Sequence, residues 1–229
     1  MGIGRRDFLK LFGTALLAVA SQPVSRAITI IDDTYVNRKL GIAFQKPPGW
    51  YYNEIKDMGE VAKGQILELI DAKLARKIIE EVDTPFVSIS QEPVTADSRN
   101  FCPGINAFVE VRPNGEVEES AFLKGLLGKA EEPVRTMTKD IIGNRHILKN
   151  FRIVSGMSSL QISHCPAIQY TSSFVFEHTN LTRPVEVQMN TLLIVQNEYW
   201  YTFRMYDAPS LGKEYVYDYQ FFMNNIWLV

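Results

Sequence analysis

Two long alternating stretches, 185–195 and 199–206, lie on either side of Gln196, Asn197 and Glu198. In the first, Val185, Val187 and Met189 alternate with Glu186, Gln188 and Asn190. A side-chain period of two marks a strand with one dry and one wet face, and a helix cannot satisfy it. A short link around asparagine, which tolerates the left-handed turn conformation, makes the pair a hairpin. Any fold for this chain is therefore built round an antiparallel sheet. Within the second strand, Trp200 lies opposite Tyr199 and Tyr201.

The flanking segments extend this sheet and suggest what covers it. Residues 28–39 are polar and mixed, an extended lead-in. Residues 40–44 alternate as a strand, Pro47-Pro48-Gly49 breaks it, and Trp50, Tyr51 and Tyr52 resume it. The spacing predicts a helix over 60–82, where Ala62, Ile66, Ile70, Leu74, Ile78 and Val82 form one apolar stripe. Strands are expected at 86–91 and 105–111, separated by a polar loop at 92–104. Residues 118–131 and 134–148 read as helices, the second interrupted by Gly143. Three further strands are expected at 153–154, 158–163 and 167–177. Residues 211–228 close the chain as an aromatic helix, with Tyr215, Tyr219, Phe222 and Ile226 at helical spacing. The expected class is α+β, an antiparallel sheet with helices packed on its faces.

The first residues carry a different signal. Gly4-Arg5-Arg6-Asp7-Phe8-Leu9-Lys10, followed by the weakly apolar residues 11–20, resembles a bacterial twin-arginine export signal. A bilayer-spanning helix needs roughly 20 apolar residues. A charged start, a short apolar middle and small residues near the end fit a removable leader. Ser25 and Ala27 place the cut after Ala27, with Ala20 second, and an uncleaved anchor is the alternative. The expected organisation is a leader at 1–27 and one domain at 28–229. The expected location is the periplasm, with membrane contact only through the leader during export.

The intact chain has 24 basic and 26 acidic residues, net charge −2. Loss of Arg5, Arg6, Lys10, Arg26 and Asp7 leaves 20 basic against 25 acidic. A mildly acidic surface is wrong for nucleic acid, which demands a clustered basic face. Cys102 and Cys165 each precede a proline, in turn-like contexts. In an oxidising compartment they are candidates for a disulfide; the alternative is two unrelated, half-buried thiols.

No Gly-x-Ser-x-Gly elbow, phosphate-binding glycine loop or His-Glu-x-x-His stretch occurs. His146, His164 and His178 are scattered, and His164, Cys165 and Cys102 lack metal-ligand spacing. No catalytic residue, cofactor or metal is therefore assigned. The residues left for recognition are aromatic: Trp50, Tyr52, Trp200 and Tyr201, and the outer side of the terminal helix.

The run Leu40-Gly41-Ile42-Ala43-Phe44 followed by Pro48-Gly49-Trp50 resembles the opening of PsbP-like domains. The strand at 105–111, the stretch Pro166-Ala167-Ile168-Gln169-Tyr170 and the hairpin around Asn197 are placed as in that family. The resemblance implies an α/β/α sandwich and a non-enzymatic binding or assembly role. The expectation is an exported module that acts through contact with a protein partner. A small-molecule carrier with an aromatic cleft is the alternative, and an exported hydrolase or redox enzyme a third class.

Overall fold

The computed structural model describes residues 28–56, 58, 61, 64–65, 85–95, 98–111, 148–196, 199–212 and 215–228. The leader, the helix expected at 118–131, most of those expected at 60–82 and 134–148, and the turn residues Asn197 and Glu198 lie outside these.

The described chain forms two antiparallel sheets. The strands are β1 (Ile28–Ile31), β2 (Thr34–Asn37), β3 (Ile42–Gln45), β4 (Tyr51–Asn53), β5 (Val87–Ser90) and β6 (Gly104–Val111). They continue as β7 (Lys149–Ile162), β8 (Cys165–Phe176), β9 (Val185–Gln196), β10 (Tyr199–Asp207) and β11 (Ile226–Leu228). The large sheet runs β4-β5-β6-β10-β9-β8-β7, and the small one β1-β2-β3-β11. Helix α1 (Val216–Asn224) is the one α-helix of full length among the described residues.

This corrects the helix-flanked α/β/α sandwich expected from the sequence. Among the described residues a second sheet, joined by α1, meets the large sheet, and no helical layer is formed on both its faces. The lead-in at 28–39 is a hairpin, turned at Asp32 with φ 51°. The terminal helix stops at Asn224, because the Asn225 carbonyl accepts the Gln45 N–H at 3.0 Å and draws the chain onto the edge of β3. Ile226 then pairs with Phe44 as strand, although its spacing from Phe222 suits a helix. At the start of the expected 60–82 helix, Gln65 makes an isolated bridge to His178, so the helix does not run unbroken through that point.

The hairpin of β9 and β10 forms as its alternation requires, with Tyr199 opposite Gln196. Rows of side chains cross the large sheet on one face: Val87, Ala107, Phe203 and Leu192 in one, Val109, Tyr201, Ile194 and Ala167 in another. The small sheet and α1 pack on that face through Tyr35, Phe44, Ile226, Tyr219 and Phe222. Phe44 has no exposed surface. It stacks on Tyr35 at 4.8 Å and meets Phe203 and Phe222 edge-on at 5.8 and 5.5 Å. Burial of such a ring contributes about 2–3 kcal/mol. The opposite face holds two further clusters, one round Leu193 and Val195, the other round Val187 and Met189.

Candidate cleft at the end of the large sheet

The chain between β5 and β6 is held by side chains of its neighbours. Asn53 Nδ2 donates to Ser90 Oγ at 2.9 Å, and Asn53 Oδ1 accepts the Val94 N–H at 3.2 Å. Ser90 Oγ also donates to the Glu92 carbonyl. Gln91 N–H donates to the Pro103 carbonyl at 3.0 Å, closing the base of the loop. Phe101 meets Phe176 edge-on at 6.0 Å, which ties the loop to β8.

Facing this loop is the connection from β10 to α1. Asp207 shapes it: one carboxylate oxygen accepts the Ala208 N–H at 2.7 Å, the other the Tyr215 N–H at 3.3 Å. A 3-10 turn over Pro209–Leu211 ends at Gly212, whose φ of 82° is strained for a residue with a side chain. Tyr215 meets Trp50 edge-on at 5.7 Å, and the Tyr219 hydroxyl donates to the Tyr206 carbonyl. The start of α1 is therefore fixed against the core.

Between loop and connection lies a cavity of ≈ 400 Å³, with Glu92, Arg99, Phe101, Cys102, Leu211 and Tyr215 among its walls. A second, of ≈ 590 Å³, adjoins it at Arg99 and is lined by Thr179, Asn180, Leu181 and Thr182. Burial pushes the Cys102 thiol up, and the Glu92 carboxylate adds to that. Burial also pushes the Tyr215 phenol up, followed by the charges of Asp207, Cys102, Asp218 and Glu92. The thiolate is the nucleophilic form of cysteine, so this shift disfavours it, and among the described residues no histidine lines either cavity. The described walls offer an apolar side, amide and hydroxyl groups, and the Arg99 cation shared by both cavities.

The four aromatic residues singled out in the sequence do not converge. Trp50 and Tyr201 are 4% and 1% exposed, inside the main core. The Tyr201 hydroxyl donates to the Leu40 carbonyl. Tyr52 is half-buried, donates to the Asp33 carbonyl at 3.0 Å and lies beneath the Lys46 ammonium. Trp200 is on the other face of the sheet, against Ile168, Leu193 and Val195. The outer side of α1 is different: Val216 is 49% and Tyr217 85% exposed, and Leu211 before it 45%.

Cys102 and Cys165 are free thiols. Cys102 precedes the start of β6, where Gly104 pairs with Tyr206. Cys165 opens β8, two residues before the row that carries Ala167, Ile194 and Tyr201, towards the far end of β10. At about 3.3 Å per strand residue the two lie on the order of 20 Å apart, beyond the reach of a disulfide. The turn expected at Cys165-Pro166 is formed one step earlier, by Ser163 and His164 at φ 49° and 70°. Among the described residues, no three His, Cys, Asp or Glu side chains are placed to hold a metal ion.

The motif pointing to this cleft is absent from the sequence, because its walls come from a loop, a 3-10 turn and the β8–β9 connection. The sequence marks 92–104 as a loop and the outer side of the last helix as aromatic, and nothing joins them.

No family model matches the chain, and no curated protein matches it. Among solved structures it is similar to cyanobacterial PsbP (CyanoP) from Synechocystis sp. PCC 6803. The TM-score is 0.50 and the identity 12%, over 91% of this chain and 96% of that one. It also matches LpqN, involved in cell envelope biogenesis of Mycobacterium tuberculosis, with TM-score 0.43 and 11% identity over 82% and 83% of the two chains. The likeness to cyanobacterial PsbP extends to the fold alone: this chain has a PsbP-like fold.

Proposed function

We propose that this protein is a non-catalytic accessory module that acts outside the cytoplasm by holding a protein partner. The observation that carries the reading is Tyr217, 85% exposed at the start of a helix whose other side is locked into the core. An aromatic ring left in water on a rigid support, with Val216 and Leu211 exposed nearby, is the kind of anchor that interfaces concentrate energy on. The PsbP-like fold supports a binding role. The Arg5-Arg6 leader supports export. The raised Cys102 thiol is in keeping with the non-catalytic part.

A second reading, a carrier of small molecules, draws on the cavity of ≈ 400 Å³, which is within the range of ligand pockets.

A photo-crosslinking residue at position 217, compared in cells with one at Ser159 of β7, tests the choice. The accessory reading expects one discrete protein adduct from 217 and none from 159. Adducts from neither, together with a small molecule retained in native mass spectra, favour the carrier. Substrate turnover by the purified protein would sink both.

A further inference from the structure

We infer that the cleft between Phe101 and Tyr215 takes an extended segment of the partner, one that presents an apolar side chain next to a carboxylate. This rests on the partner being a protein.

Shape is the first argument. The two cavities share Arg99 as a wall; one reaches Leu211 and Tyr215, the other Thr179 and Thr182. The two differ in chemistry. Phe101, Leu211 and Tyr215 offer an apolar wall in the first, and hydroxyl and amide groups dominate the second. A compact small molecule fills one part. An extended chain fills both, placing one side chain in the apolar part while its amides meet the polar part.

Charge supplies the second argument. Arg99 is exposed, and no ion pair joins it to another described residue. It lines both cavities, whereas Glu92, the one acid among the described wall residues, lines the first alone. A carboxylate on the occupant is therefore best placed at the wall the two share, on the planar guanidinium fork that suits it. The apolar side chain then points towards Leu211 and Tyr215.

Amide shifts in NMR spectra read the test, with two acetylated and amidated pentapeptides as probes, Gly-Phe-Ser-Glu-Gly and its Gln counterpart Gly-Phe-Ser-Gln-Gly. Shifts are expected at Phe101, Cys102, Leu211 and Tyr215. The Glu peptide should bind about tenfold more tightly than the Gln peptide to the parent protein, and equally to Arg99→Gln. Arg99 is exposed, so circular dichroism of that variant should be unchanged. Equal binding of both peptides to the parent, no binding of either, or shifts confined to β7 would overturn the inference. Octanoate filling the cleft and excluding the peptide would overturn it in favour of the carrier. If the partner crosslinked at 217 is held as tightly by Arg99→Gln, this inference falls and the accessory reading stands.

Discussion

Gly64 lies so close to the ring of His178 that a β-carbon would sit 2.3 Å from Nε2 and 2.5 Å from Cε1. The ring cannot swing away easily. Its Nδ1 accepts the Asn180 N–H at 3.1 Å, which leaves the hydrogen on Nε2 to donate to the Val61 carbonyl at 2.9 Å. The Gly64 carbonyl in turn accepts the Thr179 N–H at 3.0 Å. This knot fastens Val61, Gly64 and Gln65 to the chain just after β8, beside the second cavity. Gly64→Ala should destabilise the protein by about 1–3 kcal/mol, the range for forcing atoms into filled space. Urea midpoints measure it. In a His178→Ala background the same change should cost much less, because the obstruction is gone. An unchanged midpoint for Gly64→Ala in the parent protein would refute the contact.

Tyr201 joins the two sheets chemically as well as by packing. It is a β10 residue, 1% exposed, and its hydroxyl donates to the Leu40 carbonyl just before β3. Tyr201→Phe keeps the ring and removes that bond, so a loss of about 1 kcal/mol is expected, with the native amide-shift pattern retained outside residues 39–42. A loss below experimental error would mean that water satisfies the Leu40 carbonyl equally well.

What was legible in the chain follows from the local rules that act on it. β9 and β10 are written in their own side chains, because Val185, Val187 and Met189 must face away from Glu186, Gln188 and Asn190. β7 is not: its pairing with β8 shifts register at three places, and the period of two is lost across Ser155, Gly156 and Met157. It therefore reads as two short strands with a gap. β11 is disguised, since Ile226 continues the helical spacing of Tyr219 and Phe222, and only pairing with Phe44, far off in sequence, makes it strand. Trp50 and Tyr201 look like recognition residues by composition, yet Trp50 is buried against Tyr215 and Tyr219 and Tyr201 is buried with its hydroxyl on the Leu40 carbonyl. The cleft is the least legible part, because Arg99, Thr179 and Leu211 meet only through tertiary structure.

The cysteines yield a pH prediction. Burial, with Glu92 adding to it, raises the folded-state pKa of Cys102 above that of the unfolded chain. The uncharged thiol is therefore favoured by folding. Its contribution is present at neutral pH and is lost as pH rises through the folded pKa. Alkylation of Cys102 in the native protein should be slower at pH 7.5 than for a model thiol, and should keep accelerating above pH 9. Thiol counting on unfolded protein should find two free thiols, and dithiothreitol should leave the melting temperature unchanged. A disulfide-dependent mobility shift would contradict the separation of Cys102 and Cys165.

Tyr217 separates stability from function. At 85% exposure its ring has little to lose on truncation, unlike Tyr219 two residues on, which is 3% exposed. Tyr219 packs against Trp50 at 5.9 Å, and its hydroxyl donates to the Tyr206 carbonyl. Tyr217→Ala should therefore melt within about 0.5 kcal/mol of the parent protein, as surface substitutions do. Tyr219→Ala should cost about 3–5 kcal/mol, as large aromatic truncations in cores do. For capture of the partner crosslinked at 217 the order reverses: Tyr217→Ala should weaken it at least tenfold at full stability, the mark of an interface anchor. Undiminished capture by folded Tyr217→Ala would leave that ring without a role in binding and remove the observation on which the accessory reading stands.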